Sequence, residues 1–132
     1  MARKLRRKVE GSSRSAEVVE APAERLPFGD ESVDTALATL VLCTTPEPAA
    51  VLAEVARVLK PGGGFLFLEH VRAQDAPLAR WQDRVTPVTN YLFCGCHLNR
   101  ATLETIDASP LTVEHAERGE LPKEGTLPFD GR

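Results

Sequence analysis

An α/β fold built on a parallel sheet is the class this sequence predicts, and three observations carry the expectation. Val51, Leu52, Val55, Val58 and Leu59 recur at i, i+1, i+4, i+7 and i+8, one apolar face of a helix, leaving Glu54, Arg57 and Lys60 for water. Lys60-Pro61-Gly62-Gly63-Gly64 follows at once, where proline cannot continue the helical ladder and glycine accepts a left-handed turn. Phe65-Leu66-Phe67-Leu68 is then a short unbroken apolar run, as in a strand buried on both faces. Helix, sharp turn and buried strand make half of a βαβ unit.

The bulk properties agree. At 132 residues the chain is one domain at most, long enough for a sizeable core. A hydrophobic content of 42% and a charged content of 27% are ordinary for a globular protein. A net charge of −3 gives no reason to expect nucleic acid or an anionic surface as the main partner. No apolar run approaches the roughly 20 residues of a membrane-spanning helix. Three cysteines, an odd number, argue against a disulfide framework and fit a reducing, cytoplasmic setting.

Taken in order, Met1 to Glu10 carries five basic residues among its first eight, with Leu5 and Val9 at i and i+4. A solvated surface helix explains it better than a nucleic-acid arm. Gly11 to Ser15 reads as a linker and Ala16–Glu20 as a short strand. Ala21 to Phe28 is loop, since Pro22 and Pro27 bar regular pairing. After a turn at Gly29-Asp30-Glu31, Val33 to Leu42 is a buried strand. Thr45 is the expected cap of the central helix, with Pro46 and Pro48 in its first turn, where a missing N–H costs least. Ala76 to Phe93 should be helical, with Pro87 as a kink or break. Asn99 reads as the N-cap of a helix reaching Ala108, with Leu103 and Ile106 facing inward. Leu111 to His115 alternates as a last strand, and from Pro122 the chain is polar, Pro/Gly-rich and expected to be loose.

The helix-LKPGG-strand segment resembles the stretch between the fourth and fifth strands of class I S-adenosylmethionine-dependent methyltransferases. Upstream, Glu20-Ala-Pro-Ala-Glu-Arg-Leu-Pro-Phe28, Ser32-Val-Asp34 and Thr39-Leu-Val-Leu-Cys-Thr44 occur in the order and spacing of the methyltransferase type 11 group. Glu69-His70 and Gly95-Cys-His-Leu-Asn-Arg100 narrow the resemblance toward a branch that includes small membrane-associated thiol methyltransferases. It runs from about Ala2 to Leu121, so residues 1–121 are expected to form the C-terminal part of a methyltransferase domain and 122–132 a loose tail.

What the resemblance implies is a Rossmann-like methyltransferase fold with an incomplete parallel sheet lacking the first two strands. The sequence has no strand followed by a G-x-G-x-G turn and no acidic residue closing a second strand. Gly62-Gly63-Gly64 cannot stand in, because these glycines precede a strand instead of opening a helix. The family order 3-2-1-4-5-7-6 would place the missing strands between the third and fourth. A longer reading frame is therefore expected, with roughly 80 residues ahead of Met1.

The resemblance further implies S-adenosylmethionine as cofactor and methyl transfer to a small or lipophilic acceptor, with binding and activity of this chain by itself left open. The alternative is a non-catalytic binding or dimerisation module, a homodimer through an open sheet edge. Ligands of open α/β sheets sit at the carboxyl ends of the strands, which singles out the loops after Glu20, Leu42 and Glu69. Ala23 and Glu24 correspond to the loop that meets the adenine, although Glu24 also reads as a plain solvated carboxylate. Thr39 and Leu40 open the segment whose backbone borders the methionine moiety, or simply end a buried strand. His70 closes the fifth strand at the pocket mouth. Histidine titrates near neutrality and can deprotonate an incoming thiol or hydroxyl, with a hydrogen-bonded rim residue as the competing role. Cys94-Gly-Cys96-His97 supplies only three ligands, and Cys43 and His115 are distant in sequence, so no metal is expected and the cysteines are placed on the substrate side.

Overall fold

The computed structural model describes residues 15–92 and 95–117, together with Arg6, Val9 and Gly119. Five elements follow in order: β1 (Val33–Thr39), α1 (Pro48–Val58), β2 (Leu59–Leu68), α2 (Ala76–Leu92) and α3 (Thr102–Asp107). β1 and β2 are parallel neighbours joined through α1, so the βαβ expectation holds.

α1 forms because its apolar face is continuous: Val51, Leu52, Val55 and Val58 are all buried. Pro48 takes the start of the helix, where it has no N–H to waste. Thr45 is not the cap. The flanking residue is Glu47, which makes no side-chain capping bond. Thr45 donates its hydroxyl to Glu24 at 2.5 Å and accepts the Glu47 N–H, just ahead of the helix, at 3.3 Å.

The chain then enters β2 without a loop, and the Pro-Gly stretch becomes an excursion inside the strand. Val33 pairs with Leu59, yet Thr35 pairs with Gly64, so Lys60 to Gly63 bulge out between two paired stretches. Gly62 sits at φ +76, and a Cβ on Gly63 would stand 2.9 Å from the carbonyl oxygens of both Asp34 and Lys60. Glycine is favoured at Gly62 by its conformation and required at Gly63 by space.

The core lies on one side of this sheet. Leu42, Val51, Leu52, Val55, Leu59 and Ile106 form its centre, with Ala36, Phe65 and Phe67 packed against it from the strands. The opposite face is open: Leu37 is 63% exposed and its register partner Leu66 is 56% exposed. Burial on both faces, expected from the apolar run, is therefore not found among the described residues, where the core packs on one face only.

Glu54 and Arg57 also correct the sequence reading, which left them to water. Glu54 accepts the Leu26 N–H at 2.7 Å and a two-pronged contact from Arg57 at 2.8 and 2.6 Å. Arg57 reaches on to Asp30 at 2.5 Å and to the Phe28 carbonyl at 3.0 Å. The Pro-rich loop before β1 is thus strapped to α1 by one ion-paired cluster. The Arg57 guanidinium, with the Leu26 N–H second, holds the Glu54 carboxyl down to about 2. Asp83 is likewise held at about 2 by Arg72 and then Asn99. A depressed carboxylate contributes stability above its unfolded value and loses it as pH falls through the folded one. We therefore expect urea midpoints to drop between pH 4.5 and 2, and Glu54→Gln to flatten that drop.

α2 runs through Pro87 without a break. Phe93, the expected end of this helix, lies outside the described residues. α3 starts at Thr102, not after Asn99, because the Asn99 amide donates to Asp83 at 2.9 Å and Arg100 turns back toward β1. Leu111 and Val113 pack against the core, but residues 111–115 form no strand, and neither do residues 16–20. The expected third strand thus neither docks on β1 nor pairs elsewhere among the described residues. The basic start, apart from Arg6 and Val9, and the tail from Pro122 lie outside the described residues, as does the boundary at Leu121.

Candidate functional site

The carboxyl ends of β1 and β2 converge on one turn. Leu40 is a non-glycine residue at φ +55, and it swings the chain out of β1. Thr44 and Thr45 then donate their N–H groups to the Val41 carbonyl at 3.0 and 2.9 Å. This geometry turns the N–H groups of Val41, Leu42 and Cys43 the same way. Glu69, the residue after β2, accepts all three, at 2.8, 3.0 and 3.0 Å. A carboxylate in a nest of backbone donors is a strong, charge-assisted arrangement. The carbonyl side of the turn is met by Arg100, whose Nη1 donates to Leu42 at 2.5 Å and to Thr45 at 2.6 Å.

Glu24 joins the same corner. Its carboxylate accepts the Thr45 hydroxyl, and that bond is the first cause of its lowered pKa. Ala23 packs against the core cluster beneath it. The loop carrying Ala23 and Glu24 is therefore brought to the turn that Thr39 and Leu40 open. Thr39 and Leu40 are both exposed.

His70 follows Glu69 and turns Nδ1 toward two thiols. Nδ1 lies 3.2 Å from Cys96 Sγ and 3.9 Å from Cys43 Sγ, and the two sulfurs are 3.8 Å apart. Both cysteines are free and buried. Burial, the largest cause, pushes the Cys43 thiol up to about 12, so it is no thiolate nucleophile at neutral pH. A cavity of about 180 Å³ opens between Val71–Gln74 and Arg100–Glu104, one residue past His70, whose carbonyl accepts the hydroxyl of the lining residue Thr102.

Glu69 and Arg100 are the residues to which sequence reasoning gave no role. Both stood inside segments that carry the resemblance, and the available signal was a carboxylate ending an apolar strand run. The gathering of Cys43 with His70 and Cys96 was also missed, because the three come from separate segments.

Toward S-adenosylmethionine, the corner at Thr39 and Leu40 offers exposed surface, while the Leu40 N–H donates to the Leu68 carbonyl at 2.8 Å and its carbonyl accepts the Thr44 hydroxyl at 3.1 Å. The N–H groups of residues 41–43 are already taken by Glu69, and the Glu24 carboxylate by Thr45. The described residues thus offer the cofactor bordering surface but no free polar cradle.

Comparison with known proteins decides the family. The sequence profile described as a methyltransferase domain matches residues 1–67, about half the chain. The chain belongs to the class I S-adenosylmethionine-dependent methyltransferase family. It is 39% identical over 104 residues to the thiol S-methyltransferase TMT1A of Homo sapiens, covering 76% of this chain and 43% of that protein. It is 31% identical over 131 residues to a phosphatidylethanolamine N-methyltransferase of Cereibacter sphaeroides, covering 98% of this chain and 63% of that protein. The crystal structure of a Bacillus halodurans protein assigned as a methyltransferase superposes with a TM-score of 0.68 at 22% identity, over 82% of this chain and 47% of its own. That likeness shows the Rossmann-like methyltransferase fold. The chain spans about two fifths of the length of the thiol methyltransferases it matches.

Proposed function

We propose that this chain takes part in methyl transfer from S-adenosylmethionine to a small or lipophilic acceptor, a thiol first among them. The observation that carries it is the convergence of the Thr39–Leu40 corner, His70 and the adjoining cavity at the carboxyl ends of two parallel strands, where such folds bind ligands. The cofactor supplies an electrophilic methyl group when bound, so the protein's work is mainly alignment. Thr39 and Leu40 border the methionine end, and Ala23 and Glu24 border the adenine. The cavity beside Val71 and Thr102 receives the acceptor. His70 takes the thiol proton through Nε2, since Nδ1 faces the cysteines. Thr102 donates to the His70 carbonyl at 3.3 Å and steadies its backbone. The free thiols suit a reducing cytoplasm, and among the described residues no helix is long and apolar enough to cross a membrane.

Calorimetry with S-adenosylmethionine, followed by mass spectrometry of methylated thiol, tests the reading on the chain as given. Saturable heat in the micromolar range and a loss of product of about a hundredfold in His70→Asn are the expected results. No heat at high protein concentration would remove this chain from the catalytic reading.

A second reading, a non-catalytic dimerisation module, is favoured by the exposed Leu37–Leu66 pair on the open sheet face. It requires a monodisperse dimer in size-exclusion chromatography, and a monomer excludes it.

A further inference from the structure

We propose that Cys43, His70 and Cys96 form a three-ligand metal site for Zn²⁺, bound through two sulfurs and His70 Nδ1, with a water molecule in the fourth tetrahedral position. The three ligand atoms lie within 4.8 Å of one another. A tetrahedral zinc with bonds of about 2.3 Å to sulfur and about 2.0 Å to nitrogen needs edges of about 3.8 Å (S–S) and 3.5 Å (S–N). The S–S edge here is 3.8 Å, and the two S–N edges, 3.2 and 3.9 Å, bracket the required length. The ligands are already close to the arrangement a metal would impose.

Charge supports the same occupant. Zn²⁺ replaces the two thiol protons, which pass to solvent, so the dication and two thiolates with a neutral imidazole sum to zero. A neutral centre is what a buried pocket accommodates at least cost. Two sulfurs and one imidazole select a borderline metal such as zinc over Mg²⁺ or Ca²⁺, which take oxygen ligands.

Each ligand is also braced from behind. The Cys43 N–H is held by Glu69 at 3.0 Å, and its carbonyl accepts the His97 N–H at 2.8 Å. The Cys96 carbonyl accepts the Thr89 hydroxyl at 3.3 Å, and the His70 carbonyl that of Thr102. These bonds hold in place the backbone that carries the three ligands. A disulfide between the two cysteines would need a sulfur separation of about 2.05 Å and would give His70 Nδ1 no part.

The inference stands apart from the methyl-transfer reading, with one consequence for it. A metal on Nδ1 leaves Nε2 carrying the proton, so His70 can no longer accept one from a thiol. The metal-loaded chain should therefore methylate thiols differently from the metal-free chain.

The test is titration of the reduced, full chain with Co²⁺ as the visible probe, then displacement by Zn²⁺. One equivalent giving the intense bands of tetrahedral, thiolate-bound cobalt is the expected result. Cys43→Ser and Cys96→Ser should abolish those bands, and His70→Asn should weaken binding about tenfold or more. Because serine variants can fail to fold, peptide mass spectrometry on the unaltered chain provides the second readout. Zn²⁺ should slow alkylation of Cys43 and Cys96 together. Octahedral cobalt spectra, or alkylation unchanged by Zn²⁺, would overturn the site.

Discussion

Glu69→Ala should destabilise the protein by about 3 kcal/mol in urea unfolding, the larger of the losses expected from any one polar side chain here. The reason lies in what is left behind. Removing the carboxylate strips Val41, Leu42 and Cys43 of the acceptor for their N–H groups at once, in a turn whose Leu42 and Cys43 are fully buried. Water cannot easily enter to replace it, and an unmet buried donor costs about 1–3 kcal/mol. Glu69→Gln should lose less, because its amide oxygen can still accept from the two donors that now share Oε1. It turns an NH₂ group toward the Cys43 N–H, so the recovery is incomplete. A loss under about 1 kcal/mol in Glu69→Ala would mean that the turn is held by Arg100 alone.

Leu52→Ala should cost a similar amount, about 3 kcal/mol, by a different route. Leu52 is fully buried between the strands and α3, in one cluster with Leu42, Val55 and Ile106. Truncation loses the transfer free energy of the side chain and leaves a cavity that a helix anchored at both ends cannot close. Leu66→Ala is the paired control. At 56% exposure it should change stability by no more than about 0.5 kcal/mol. If thermal melts show equal losses for both, the outer sheet face is covered in solution, and the dimer reading gains at the expense of a one-sided monomer.

The legible part of the fold was the part fixed by local periodicity. Val51, Leu52, Val55 and Val58 announced α1 because one helical face must be apolar to be buried, and Phe65 to Leu68 announced β2 for the same kind of reason. Residues 16–20 and 111–115 have strand-like alternation too, but a strand exists only where another backbone offers its hydrogen bonds. Asn99 had the right chemistry for a cap and lost the role to a stronger partner, Asp83. The site was legible only in outline. Ala23, Glu24, Thr39 and Leu40 do come to one corner, and His70 stands at the end of β2. The thiol cluster was not legible, since Cys43 and Cys96 lie 53 positions apart and only the fold brings them together.

Because β1 and β2 run the same way and are joined only through α1, their ladder cannot zip outward from a tight turn as a hairpin does. The chain must first close a long loop, meeting its entropic cost before any inter-strand bond repays it. α1, made of local contacts, is the element able to form early and carry Leu59 back toward Val33. The four-residue excursion at Lys60 to Gly63 splits the ladder, with Leu59 paired as the helix ends and pairing resuming at Gly64, beyond a Gly63 packed tightly under the Asp34 carbonyl. A side chain at that glycine would act on the rate of arrival at the native state as well as on its depth.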